Sequence, residues 1–106
     1  MLPKKNRVDK KNIDLVFKKG RFINSPNLTF KFIFIDNFKK FSFIVPKSVA
    51  KLAVNRNLLK RRGYLALKKH FNCFPVSLVG VFIFKKYQDK ILTLEDEIKN
   101  ILNKIN

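Results

Sequence analysis

Residues 28–35 read Leu-Thr-Phe-Lys-Phe-Ile-Phe-Ile, a period-two pattern with Leu28, Phe30, Phe32 and Phe34 on one side and Thr29, Lys31, Ile33 and Ile35 on the other. Both sides are largely apolar, which predicts a strand covered on two faces. Lys31 is the exception, a cation among apolar neighbours, and its place in the pattern points it toward a groove. Phe41-Ser-Phe-Ile-Val45 predicts a second strand that Pro46 stops, and Val76 to Lys86, dense in β-branched and aromatic residues, predicts a third.

Helical periods separate these strands. Ile13, Val16 and Phe17 fall at i, i+3 and i+4, with Asn12 as the expected cap and Gly20 as the stop. The preceding residues 1–12 read as an irregular arm with Leu2 and Val8 as its apolar anchors. Turns are expected at Asn24–Asn27, at Asp36–Asn37, over Asn72–Pro75 and over Tyr87–Lys90. Near the end, Ile98, Ile101, Leu102 and Ile105 form one stripe, with Thr93 as the expected cap and Asp96 three residues on, close to a capping box. The order is therefore α, β, β, α, β, α: an α+β fold, expected as a two-layer α/β sandwich of about three helices on a small mixed sheet. All of residues 1–106 suit a single domain.

The fourth element, a helix from about Val54 to about Phe71, departs from the usual mixture of charges. Arg56, Asn57, Lys60, Arg61, Tyr64 and Lys68 share one arc of roughly 140°, and Leu58, Leu59, Leu65 and Ala66 lie opposite. Most charge runs are merely solvated faces, but such helices generally include Glu for i,i+4 support, and there is no acid between Lys47 and Lys69. Asn57 is a poor residue for a helix interior, yet among cations its amide suits a sugar or base. Tyr64 has two readings of equal weight: a ring on the RNA-facing surface, or a cover for the apolar core near Phe71.

Composition strengthens the nucleic-acid reading. Twenty-four Lys and Arg against seven Asp and Glu give a formal charge of +17, and every acid lies within residues 1–36 or 89–106. Self-repulsion on this scale predicts stabilisation by a polyanion. A single Cys suits a reducing compartment and excludes an internal disulfide. His70 and Cys73 are spaced like half a zinc site, but the chain has no other His or Cys to complete one. The longest apolar runs are too short to span a bilayer, and a cytoplasmic protein without membrane partner is expected. No paired carboxylates, phosphate-binding glycine loop or partner for His70 appears, so neither an independent nuclease nor a small-molecule enzyme is expected. A small basic ribosomal or other structural RNA-binding protein would share the charge. A membrane-active cationic protein would need one broad apolar helix face, which the three strand patterns oppose.

The stretch FSFIVPKSVAKLAVNRNLLKRR resembles the signature of the bacterial ribonuclease P protein subunit family, a strand and a basic turn leading into A-V-x-R-N-R-x-K-R. Phe43, Val45, Pro46, Lys47, Ala53, Val54, Arg56, Asn57, Lys60 and Arg61 match in register. MLPKKNRV and VFKKGRF resemble the family's N-terminal region, and residues 72–106 match in broad pattern. Leu58 stands where the family usually has the second Arg of its triplet, and Tyr64 and Leu65 where a polar pair is common. A ribosomal protein has no reason to carry this motif directly after a strand and Pro-Lys.

The resemblance implies a ribosomal protein S5 domain 2-like fold of about four strands with a left-handed βαβ crossover, where periodicity alone would favour a right-handed one. It implies a ribonucleoprotein whose RNA subunit removes the 5′ leader of precursor tRNA using Mg2+ that the RNA mainly binds, while the protein, inactive alone, assists. Partners would be the RNA subunit and precursor tRNA, with one protein per RNA. Arg56, Asn57, Lys60, Arg61 and Tyr64 would meet the RNA subunit, with Lys47 and Lys51 as supporting phosphate contacts. Phe17 and Lys31 would line the cleft for the single-stranded leader. Where the family commonly has a second Phe one turn before Phe17, this chain has Ile13, which can pack but not stack.

Overall fold

In the structure, a computed structural model that describes residues 8–35 and 39–105, the strand residues 28–34 sit between two apolar layers, as their pattern predicts. Helix α1 (Lys10–Lys19) leads into strand β1 (Arg21–Asn24), then β2 (Leu28–Phe34), β3 (Lys40–Ile44), helix α2 (Ala53–His70), β4 (Leu78–Phe84) and helix α3 (Ile91–Ile105). The sheet order is β1-β2-β4-β3, antiparallel except for the parallel pair β3 and β4. The chain between those two strands forms α2, as a parallel connection requires.

Helices cover both faces, so the sheet is the middle of three layers rather than one of two. On one face Leu28, Phe30, Phe32, Phe41, Phe43, Leu78, Phe82 and Phe84 meet Leu59, Tyr64 and Leu67 of α2 and Leu94, Ile98 and Ile101 of α3. On the other, Val79 and Val81 pack with Val8 and Val16, flanked by Ile13, Ile33, Ile35, Ile44 and Ile83. The two-layer expectation failed because α1 is short and has only one fully buried residue, Val16, so its pattern does not reveal which face it covers. Strand β4 is buried on both sides, the reason it reads as a nearly continuous apolar run.

Several boundaries moved for local reasons. Asp9 rather than Asn12 caps α1, its Oδ1 accepting the Asn12 backbone N–H at 2.9 Å. Thr93 lies inside α3, which starts at Ile91 because Ile91 and Leu94 extend the apolar stripe one turn earlier. Strand β1 had no signal of its own: four residues with three exposed side chains, held by pairing to β2. The turn expected at Asp36–Asn37 and most of the N-terminal arm lie outside the described residues.

The β1–β2 turn is tied to α3 through a buried carboxylate. Glu97, 5% exposed, accepts hydrogen bonds from Ser25 Oγ (2.5 Å), Asn27 N (2.7 Å) and Asn27 Nδ2 (2.7 Å). These bonds fix the edge strand against the helical layer.

Candidate nucleic-acid interface

Helix α2 begins one short connection after β3, and that connection is built from backbone turns plus one side chain. Val49 N and Ala50 N both donate to the Pro46 carbonyl, and Arg56 Nη1 reaches back to the carbonyls of Ala50 (3.0 Å) and Lys51 (2.6 Å). Arg56 is thus partly an internal brace. Both bonds come from one nitrogen, whose two hydrogens the planar guanidinium holds in fixed directions, a geometry that a freely rotating lysine ammonium keeps less well.

The outward side of α2 carries Asn57, Arg61, Leu65, Lys68 and Lys69, all exposed, while Arg56 and Lys60 lie half-buried at its flank. Lys47 and Lys51 are exposed in the connection ahead of the helix. Among the described residues no carboxylate pairs with Lys47, Lys51, Lys60 or Arg61; the ion pair on this helix is Lys69 with Glu95 at 3.8 Å, near its C-terminus. The N-terminal half of α2 therefore offers unneutralised cations.

Tyr64 is not among the outward residues. It is 5% exposed and packs edge-on against Phe43, with ring centroids 4.9 Å apart. The arc drawn from sequence was turned by roughly the 100° between successive residues: Leu65 is exposed, and the buried side is Leu59, Gly63, Tyr64, Ala66 and Leu67. Gly63 explains the turn. A Cβ there would lie 2.5 Å from Phe43 Cε1, so the bare backbone lets the sheet's ring press against the helix, carrying Tyr64 and Leu67 inward with it. A glycine adds nothing to an apolar arc and a tyrosine is amphipathic, so neither marks the buried side in the sequence. Of the proposed RNA-subunit contacts, Tyr64 is withdrawn.

The second candidate surface lies on the opposite face of the sheet. Phe17 on α1 is 42% exposed, and Lys31 Nζ sits 4.8 Å from the centre of its ring. Fold geometry thus brings together two residues that the sequence separates by a helix end and a strand. Ile13, one turn earlier, packs into the apolar cluster beneath α1. Sequence reading missed Phe22, which is 63% exposed and directly opposite Lys31 in the β1–β2 register; only that register makes it a neighbour.

Among the described residues no three His, Cys, Asp or Glu side chains converge, so this part of the chain offers no donor set for a metal ion. Nor is any described helix long and apolar enough to cross a membrane. Lys39 lies over the Phe71 ring at 4.5 Å, and burial lowers its pKa despite an opposing effect from Cys73.

Comparison with known proteins places this arrangement. The family described as Ribonuclease P matches residues 2–106. The ribonuclease P protein component of Pseudanabaena sp. (strain PCC 6903) is 33% identical over 113 residues, covering 98% of this chain and 94% of that protein. Among solved structures, the RNase P protein from Thermotoga maritima superposes with a TM-score of 0.83 at 19% identity, covering 94% of this chain and 97% of that one. The Staphylococcus aureus RNase P protein gives 0.75 at 20% identity, covering 94% of each chain. The two structures establish the likeness of fold, and the sequence match over nearly the whole length establishes kinship: this chain belongs to the bacterial ribonuclease P protein family.

Proposed function

We infer that this chain meets RNA through two surfaces on opposite sides of its sheet, a basic one for the RNA subunit and an aromatic cleft for the substrate's leader. The chain is the protein component of ribonuclease P and works with the RNA subunit, which carries the catalytic chemistry, to remove the 5′ leader of precursor tRNA. The observation that carries the residue assignment is the band of cations from Lys47 to Arg61 that no described carboxylate neutralises.

Asn57, Lys60 and Arg61 are assigned to the RNA subunit, with Lys47 and Lys51 as phosphate contacts. Arg56 contributes both charge and the shape of the connection it braces. Each lysine or arginine that neutralises a phosphate releases condensed counterions, so affinity here is expected to be largely electrostatic. Phe17 and Lys31 are assigned to the leader: an exposed ring offers a base a stacking surface, and the adjacent ammonium offers its phosphate a counter-charge. Binding the substrate at its leader and the RNA subunit at the other face would hold the scissile bond near the RNA's active site.

Magnesium in this reading would be held mainly by the RNA, where it would supply an activated water and charge stabilisation for the leaving oxygen. The protein lowers the magnesium requirement by supplying fixed cations. The reading also includes a single domain over residues 1–106, one protein per RNA, a cytoplasmic setting and a left-handed crossover through α2 of the S5 domain 2-like kind. The parallel adjacency of β3 and β4 with α2 between them supports that kind of crossover unit. A cleavage assay on precursor tRNA at low magnesium, with RNA subunit alone, protein alone and both, tests the central claim. Cleavage is expected only with both; activity of the protein alone that survives RNase treatment would overturn it.

A further inference from the structure

We propose that Phe22 on the edge strand is a second base-stacking position, so that the leader track continues from the α1 cleft across the open side of β1. This rests on the assignment of the leader to Phe17 and Lys31 and extends it to a residue on the neighbouring strand.

The backbone register supplies the geometry. Phe22, Lys31, Val81 and Ser42 form one cross-strand row, since Phe22 pairs with Lys31, Lys31 with Val81, and Ser42 with Val81. Residues directly opposite project from the same face, so Phe22 emerges beside Lys31 on the face that α1 partly covers. Helix α1 packs on β4 and β2, and its buried Val16 sits against the Val79 and Val81 end of the row. The β1 end is left uncovered, and there Phe22 is 63% exposed.

Burial does not account for a phenyl ring at this position. Exposed apolar side chains are common singly, but this one stands next to a lysine whose ammonium already lies 4.8 Å from another exposed ring. Ring, cation, ring in lateral sequence fits single-stranded RNA, with a base on each ring and a phosphate near the lysine between them. One step further along the same face, Thr29 Oγ1 donates to Asn24 Oδ1 at 2.8 Å. That bond uses the amide oxygen of an exposed side chain and leaves the Asn24 Nδ2 donors for a sugar hydroxyl or base edge. A protein partner would need a wider apolar surface than two rings interrupted by a cation and flanked by an amide, so the occupant is unpaired RNA.

The experiment uses the holoenzyme assembled from this chain and a matching RNA subunit. Affinity is measured for precursor tRNA with a long single-stranded leader, for the same tRNA with a one-nucleotide leader, and for mature tRNA. Phe22→Ala is expected to weaken long-leader binding about tenfold and leave the other two substrates unchanged. Phe22→Leu, which keeps bulk but loses the aromatic face, should reproduce the loss, and Phe22→Tyr should restore binding. Equal weakening of all three substrates, or full affinity in the leucine variant, would overturn the proposal. Phe17→Ala and Lys31→Ala separate the two levels of the reading. If they weaken long-leader binding while Phe22→Ala does not, only the extension to β1 fails; if none of the three does, the leader assignment itself fails.

Discussion

Replacing Gly63 by Ala opposes two effects of known sign. In the middle of an 18-residue helix, alanine is favoured over glycine by about 1 kcal/mol, so propensity alone predicts a more stable protein. Packing predicts the reverse. The new Cβ would lie 2.5, 2.6 and 2.9 Å from Phe43 Cε1, Cδ1 and Cζ, where carbon atoms normally approach to about 3.5–4.0 Å. The ring or the helix must therefore yield by roughly 1 Å. Phe43 has little room, since its ring stacks on Phe82 at 4.8 Å and meets Tyr64 at 4.9 Å and Phe84 at 6.0 Å. Overpacking of this kind costs about 1–3 kcal/mol, leaving a net loss of up to about 2 kcal/mol after the propensity gain. For a domain of this size that lowers Tm by up to about 10 °C, measured by circular dichroism. If the cations of α2 meet the RNA subunit as proposed, the displaced helix should also bind it less tightly. Adding Phe43→Leu should recover part of the stability by giving the Cβ room. A higher Tm for Gly63→Ala alone would refute the argument that this glycine sets the rotation of the helix.

Glu97→Gln should destabilise the fold by about 2–3 kcal/mol, because the new amide must turn a donor toward Ser25 or Asn27, which already donate; an unchanged urea midpoint would contradict this. Arg56→Lys keeps the charge but loses the two-carbonyl brace, so it should lose about 1 kcal/mol of stability and some RNA affinity; wild-type values for both would show the brace to be dispensable. RNA affinity should fall by about three to five orders of magnitude between about 50 and 200 mM salt if about 6–10 phosphates are neutralised, and a nearly flat titration would reject the electrostatic reading. Arg61→Ala, an exposed residue outside the core, should make that salt dependence shallower by about one phosphate while leaving Tm within about 1 °C, because such surface changes have little effect on stability.

The sequence by itself determined the parts of this protein whose signals are local. Period-two alternation gave β2 its two faces, the density of β-branched and aromatic residues marked β4 as a strand, and the charge asymmetry placed the acid-free surface on α2 without reference to any contact. The motif through Arg56, Asn57, Lys60 and Arg61 carried the family. Tertiary structure decided what depends on the approach of distant segments. Strand β1 exists because β2 offers it hydrogen bonds and Glu97 anchors the turn between them. Whether Tyr64 faces RNA or Phe43 turned on the missing Cβ of Gly63, a residue that no hydrophobic arc counts. The α1 cap and the α3 start moved by up to a turn because side-chain bonds and packing compete with intrinsic preference. Phe17, Lys31 and Phe22 became one surface only through a helix crossing a sheet and a strand register, and register is a relation between segments that neither segment encodes alone.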